Sequence, residues 1–273
     1  MKGTIAGRTL LEPRSVDDAL GMLAGEENAM PMAGCTDLYV SLNFGTLAAN
    51  RFVNLWGLRE LRGIRVEDDS LVIGALTTYT DLIRSPLVSA RLPMLVSAAR
   101  EVGGVQVQCR GTIGGNIANG SPAGDTLPVL AAAEAVLQLR SRGAAREIPF
   151  GDFFTGYRAT VMRRDEIISA IRVPPVEGRQ WFRKVGTRAA QAISKIVMAA
   201  VRAPRPRIAL GSVAPTVVRL SGTERALAQG ESLEAARAVL ENEIRPIDDL
   251  RSTAVYRRAV AGNLLERFWS DTG

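Results

Sequence analysis

A chain of 273 residues, 47% hydrophobic and 23% charged, can bury a sizeable core, and its length suits two domains. Histidine is absent, which excludes a Ser-His-Asp triad and histidine-ligated zinc or iron, so reactive atoms for redox chemistry must come mainly from a bound organic cofactor. The net charge of +6 belongs to arginines scattered among acidic residues, and the group Arg202, Arg205, Arg207 is interrupted by prolines and lacks interleaved aromatics. It reads as a solvated loop, and nucleic-acid binding is not expected.

In chain order, Ser15 with Asp18 three residues later reads as an N-cap and its reciprocal partner, opening a helix that ends near Gly25. A strand is expected at 29–33, then a small-residue turn, Ala33-Gly34-Cys35-Thr36-Asp37-Leu38, leading into a helix through Leu42. Short strands follow at 52–55, 64–66 and 71–74, the last two joined by a tight turn at Asp68-Asp69. Thr80 is expected to cap a short helix ending before Pro86, and Leu92, Leu95, Val96 and Ala99 form one face of a second helix closing at Gly103-Gly104. Residues 111–133, GTIGGNIANGSPAGDTLPVLAAA, read as a glycine-rich loop with Asp125 just before an apolar helix. Strands are expected at 135–139 and 166–173.

Pro174-Pro175 and Glu177-Gly178 mark a domain boundary near residue 176. Beyond it come extended stretches at 181–185, 195–201 and 207–213, then helices, of which the last, about 252–268, carries Val255, Val260, Leu264, Leu265 and Phe268 on its apolar face. Cys35 and Cys109 form no short-spaced pair, so neither a disulfide framework nor a cysteine-ligated cluster is expected. No run approaches the roughly 18 apolar residues of a membrane span, and the N-terminus lacks a secretory signal's apolar run. A cytoplasmic location without a membrane span is the expectation.

The two glycine-bearing segments carry the chemistry. Gly114 and Gly115 lack the Cβ atoms that block close backbone approach, and Thr112 and Asn116 can donate to phosphate oxygens. The 33–38 turn offers a second set of amides at a helix start, with Thr36, so two segments could hold the two phosphates of one dinucleotide. Asp125 could accept from sugar hydroxyls. A tight turn without a ligand accounts equally for either segment taken alone. Neither matches a P-loop or a GxGxxG fingerprint.

AGCTDL at 33–38 followed by GTIGGNIANGSPAGDTLPVL at 111–130 resembles the FAD-binding subunits of molybdenum hydroxylases of the xanthine dehydrogenase and carbon monoxide dehydrogenase type. The likeness extends to FRKVGTRAAQAISKIVMA at 182–199 and STAVYRRAVAGNLLERF at 252–268, and so covers nearly the whole chain. It implies an α+β fold with an FAD-binding domain of the vanillyl-alcohol-oxidase type at 1–176, in subdomains of about 1–55 and 56–176. A smaller sheet-plus-helix domain like the carbon monoxide dehydrogenase flavoprotein C-terminal domain would occupy 177–273.

By the same resemblance, FAD is bound by Pro31, Met32, Ala33, Gly34, Cys35, Thr36, Asp37 and Leu38, and by Thr112, Ile113, Gly114, Gly115 and Asn116 around its diphosphate. Asp125 would hold the sugar-like part, Val102 the adenine side, Ile168 the flavin ring, and Lys184 would reach in from the second domain; core packing for Val102 and Ile168, and a surface charge for Lys184, are the alternatives. Cys35 departs from the glycine usual in relatives. No residue of this chain is assigned catalysis or a metal.

The implied partners are a 2Fe-2S small subunit and a molybdenum-cofactor large subunit, in a dimer of heterotrimers, with NAD, oxygen or a quinone as terminal acceptor. The segment FRKVGTRAAQAISKI is most similar to xanthine dehydrogenase-type subunits. Carbon monoxide, aldehyde and N-heterocycle dehydrogenases remain open, as do a free-standing flavin oxidase and a cofactor-free structural subunit.

Overall fold

The computed structural model describes residues 7–273, so the first six residues of the expected 1–55 subdomain lie outside the described residues. The first unit is β1 (Thr9–Leu11), α1 (Val16–Gly25), β2 (Ala29–Met32), α2 (Leu38–Asn43) and β3 (Arg51–Asn54), with a parallel sheet in the order β1-β3-β2. Ser15 caps α1 as expected, accepting from the Asp18 amide, although the Asp18 carboxylate reaches the amide of Arg14 and not that of Ser15. Val16, Ala19, Leu20 and Leu23 bury one face of α1 against Val53, Leu55 and Leu76.

The second unit opens with β4 (Ile64–Glu67) and β5 (Ser70–Gly74), joined by Asp68 and Asp69 at φ 46° and 60°, the left-handed pair of a tight hairpin. Helices α3 (Tyr79–Arg84), α4 (Pro86–Arg91), α5 (Pro93–Glu101), α6 (Val105–Arg110), α7 (Ile113–Asn119) and α8 (Leu127–Ala132) follow. Strands β6 (Val136–Ser141) and β7 (Ala144–Pro149), the small hairpin β8 (Phe154–Gly156) and β9 (Ala159–Thr160), and β10 (Ile167–Val173) complete it. The sheet is antiparallel in the order β4-β5-β10-β6-β7. The cap of α3 is Thr78 and not Thr80: Thr78 accepts from the Asp81 amide while Asp81 accepts from the Thr78 amide. Thr80 sits inside the helix, its hydroxyl donating to Cys109 Sγ.

The third unit is the antiparallel meander β11 (Arg179–Val185), β12 (Ile196–Arg202), β13 (Arg207–Gly211) and β14 (Val218–Arg219), followed by α9 (Ser221–Ala228), α10 (Leu233–Glu243) and α11 (Ala254–Asp271). Alternate residues of β12 serve two cores. Ile196, Met198 and Ala200 pack with Leu240, Leu265 and Phe268 of the closing helices, whereas Ala199 and Val201 join the core of the second unit. A strand covered on both faces reads as an unbroken apolar run, as IVMAAV does. On β11 the same alternation sends Trp181 and Val185 to the helices and Phe182 to the second unit's core, and puts Lys184 on that side. Two expectations fail here. Val255 is 78% exposed and stands outside the apolar face of α11, and Arg207 belongs to β13 and pairs with Glu134.

Because Thr78 carries the capping box and Thr80 does not, Thr78→Ala is expected to cost about 1 kcal/mol, read as a fall of a few degrees in melting temperature. Thr80→Ala should stay within about 0.5 kcal/mol of the parent.

Candidate functional site

Strands β2 and β3 run parallel and end together, the carbonyl of Met32 accepting from the Leu55 amide at 2.8 Å, so the 33–37 turn emerges at one edge of the first sheet. Cys35 adopts φ 64°, the left-handed region that favours glycine. Its thiol donates to the Ala33 carbonyl at 3.3 Å; burial pushes its pKa up, against the pull of the Arg110 charge. Gly34 answers a different constraint. A Cβ on it would stand 1.8 Å from the carbonyl oxygen of Arg110, so the two distant segments meet backbone to backbone at this position. Between them lies a cleft of about 460 Å³, lined by Gly34, Cys35, Thr36, Tyr39, Val107 and Arg110 among others. Asp37 precedes α2 and pairs with Arg158 at 3.4 Å.

The segment expected as a second loop is helical from Ile113 to Asn119, with Thr112 as its N-cap. Its amides are committed to protein: Ile113 donates to the Thr77 carbonyl (3.0 Å), Gly114 to the Ala75 carbonyl (2.9 Å) and Gly115 to Thr112 Oγ1 (3.1 Å). Gly114 lacks a side chain for Ala75, whose Cβ lies 2.6 Å from where its own would be. Ile113 is core. The outward face is therefore the bare Cα of exposed Gly115 and half-buried Asn116, whose Oδ1 accepts from Thr126 at 2.6 Å, with the buried Thr112 beneath them keeping its hydroxyl hydrogen free to donate.

Asp125 is 7% exposed, and its Oδ2 accepts from Lys184 Nζ at 2.7 Å. The same ammonium donates at 2.8 Å to the carbonyl of Glu101, one of the last-turn carbonyls of α5 that no helix amide can reach. Lys184 is thus a buried charge and not a surface one. Asp125 Oδ1 has no hydrogen-bond partner among the described residues. Burial raises the Asp125 pKa to about 6 against the opposing charge and hydrogen bond of Lys184. Val102 follows Glu101 half-buried at the end of α5. Ile168 is buried in β10 beside Ser169, whose carbonyl accepts from the Ala75 amide.

Many of the expected residues form one chain of contacts, from which Ile168, in the core of β10, stands apart. Gly34 touches Arg110, the capped start of α7 follows directly, Asn116 is tied to Thr126, and Asp125 leads through Lys184 to Glu101 and Val102. Sequence reasoning missed Arg110, which immediately precedes the glycine-rich segment, and Thr126, a fully buried hydroxyl. The adjacency of Arg110 to GTIGGN was the available signal.

Residues 5–176 match the family model described as FAD binding domain in molybdopterin dehydrogenase, and residues 181–272 match the CO dehydrogenase flavoprotein C-terminal domain. The chain belongs to this family of FAD-binding subunits. Among its relatives are the carbon monoxide dehydrogenase medium chain of Hydrogenophaga pseudoflava, 35% identical with 93% of each chain covered, and the xanthine dehydrogenase FAD-binding subunit of Escherichia coli O157:H7, 32% identical with 88% of this chain and 87% of the relative covered. A solved carbon monoxide dehydrogenase from H. pseudoflava matches with a TM-score of 0.90 at 33% identity, over 95% of both chains. The fold is α+β as expected, FAD is the cofactor, and the chain is an oxidoreductase subunit.

The residues fit such a group. The cleft volume is in the usual range for a ligand pocket, Gly115 is exposed with no side chain on the surface, and Asp125 Oδ1 is a buried acceptor awaiting a donor such as a sugar hydroxyl.

Two outcomes test this site. Gly115→Val is expected to strip FAD from the purified protein and, since its Cβ would crowd Thr112 Oγ1, to cost about 1 kcal/mol through the cap; unchanged flavin content would remove residues 112–116 from the site. For Asp125 the folded pKa lies above the unfolded value, so its contribution is full below about pH 4 and lost as pH rises through about 6. Asp125→Asn leaves the buried Lys184 without its counter-charge and is expected to destabilise the FAD-free protein, but by roughly 2–3 kcal/mol less at pH 7.5 than at pH 4, while weakening FAD retention. Thermal melts of both proteins across that range decide it.

Proposed function

We propose that this chain is the FAD-carrying, electron-delivering subunit of a cytoplasmic molybdenum hydroxylase complex. Its partners in this reading are a small subunit with 2Fe-2S clusters and a large subunit with the molybdenum cofactor, assembled as a dimer of heterotrimers. FAD, when bound, would supply the redox chemistry of a carrier between the partners' clusters and a terminal acceptor such as NAD, oxygen or a quinone. The chain itself divides into an FAD-binding part at 1–176 and a C-terminal part at 177–273. Its residues position the cofactor: Thr36, Thr112 and Asn116 at the diphosphate, Asp125 at the sugar-like part, Val102 and Ile168 as apolar walls, Lys184 as a buried cation from the third sheet.

The observation that supports the reading is the contact chain that starts at the cleft wall, where Gly34 meets Arg110, and runs through α7 to the buried Asp125–Lys184 pair, 150 positions from Gly34, where one carboxylate oxygen has no partner among the described residues. Helix α2, at the rim of that cleft, has no buried residue and exposes Tyr39 and Val40, with Phe44 exposed just after it, a surface suited to a partner subunit. Among the described residues no group of three or more His, Cys, Asp and Glu could hold a metal ion. No described helix is long and apolar enough to cross a membrane.

The complex is proposed to be of the xanthine or purine type, on the segment FRKVGTRAAQAISKI. Relatives named for carbon monoxide, glyceraldehyde and xanthine stand at 35%, 30% and 32% identity, a spread too narrow to mark a substrate, as expected when substrate chemistry resides on the large subunit.

The test is an absorption spectrum of the purified chain, with the cofactor released by heat and identified as FAD or FMN. One FAD per chain is the expected result. Absence of flavin, with no uptake of added FAD by the folded protein, overturns the reading. Recovery of the native chain alone as a fully active oxidase with its own substrate would overturn the partner assignment.

A further inference from the structure

Arg110 ends α6 and contributes to the wall of the cleft that holds Gly34, Cys35 and Thr36. Its guanidinium lies 3.6 Å from the ring centroid of Trp56, and that ring also carries Arg62 at 4.3 Å. The two arginines are not equivalent. Arg62 is spent on the protein, donating to the carbonyls of Leu76 (3.0 Å) and Trp56 (2.9 Å). The Arg110 guanidinium makes no hydrogen bond or ion pair with any described residue. Trp56 is itself fixed, its amide donating to Asn54 Oδ1 at 3.0 Å, and the Arg110 backbone is fixed against Gly34.

Stacking on a half-buried indole removes much of the freedom an arginine side chain would otherwise lose on binding, while leaving its in-plane donors unused. Two cations on one indole repel, and an anion between the loops would relieve that repulsion. The cleft offers no carboxylate for the purpose: its lining residues include none. A guanidinium presents parallel donors that match two oxygens of one phosphate or one oxygen from each of two linked phosphates. The position is also right by connectivity, since Arg110 touches the first cofactor segment through Gly34 and leads within two residues into the Thr112 cap of the second.

We propose that Arg110, held on Trp56, is the cation that recognises the dinucleotide's diphosphate and makes the site selective for diphosphate esters over the uncharged nucleoside or flavin. This rests on the FAD-subunit reading above. Arg110 acts by direct contact with the cofactor, and Trp56 is its positioning residue. Cys35, in the same wall, reports on occupancy: a diphosphate seated against Arg110 covers the thiol.

The test measures FAD binding to the cofactor-stripped full-length chain by flavin fluorescence, with ADP and adenosine as displacing competitors, for the parent, Arg110→Gln and Arg110→Lys. The parent is expected to prefer ADP over adenosine, and Arg110→Gln to lower that preference by about tenfold or more, the scale of a lost charge-assisted hydrogen bond. Arg110→Lys should restore part of it, and raising NaCl from 50 to 250 mM should weaken ADP binding less in Arg110→Gln than in the parent. A purely structural Arg110 would scale ADP and adenosine together, and an unchanged ADP-to-adenosine ratio in Arg110→Gln overturns the proposal. If Arg110→Gln does not fold, the parent chain with Cys109→Ser decides: ADP must slow alkylation of Cys35 by iodoacetamide and adenosine must not, and equal rates with both overturn it. A parent chain that binds neither FAD nor ADP brings down the FAD-subunit reading itself, an outcome distinct from FAD binding that ignores Arg110.

Discussion

One buried ion pair holds the two halves of this chain in register. Lys184 comes from a strand of the third sheet, Asp125 from the turn before α8, and the Glu101 carbonyl from the end of α5, and all three meet at hydrogen-bond distance out of contact with bulk water. The alternation of β11 forces the arrangement: with Trp181 and Val185 turned to the closing helices, Lys184 must face the other way. Two charges removed from water seldom repay their desolvation by mutual attraction alone. Here the carboxylate also keeps an oxygen without a partner among the described residues. Stability does not explain such a site; readiness for a ligand does.

The glycines of the two cofactor segments divide in function, and the division follows from what stands beside each missing Cβ. Gly34 and Gly114 make room for distant protein segments, the one for the Arg110 carbonyl and the other for Ala75, whereas a Cβ on Gly115 would meet only the Thr112 hydroxyl of its own cap, and the residue is exposed with no side chain on the surface. A glycine-rich segment at a cofactor site therefore mixes two demands. One lets the protein's own segments approach closely enough to form a wall, and the other leaves that wall smooth.

Much of this was legible in the residues. The caps, the Asp68-Asp69 hairpin and the strands of the third sheet follow from local chemistry and period-two patterning, and they stand within a residue or two of where those rules put them. What escaped was governed by contacts distant in sequence. Residues 113–119 look like a loop because two adjacent glycines disfavour a helix by about 1 kcal/mol each; the carbonyls of Ala75 and Thr77, nearly forty residues away, hold the first amides and keep the turn helical. Thr78 and Thr80 are equally plausible caps by type, and only Asp81 three residues beyond Thr78 distinguishes them. Lys184 reads as a surface charge until its strand is known to be covered. The cofactor family was legible through the paired motifs, whereas the role of Arg110 depends on Trp56, a residue no local pattern connects to it.

The double covering of β12 bears on how the polypeptide becomes a protein. Its two rows of side chains belong to different cores, one completed by helices that follow it and the other by helices that precede it. A fragment holding only the meander and its trailing helices would present the row of Ala199 and Val201 to solvent, next to an uncompensated Lys184. The two family segments are separable as stretches of sequence but are bound together during folding. Splitting the gene between them would yield a C-terminal fragment prone to self-association.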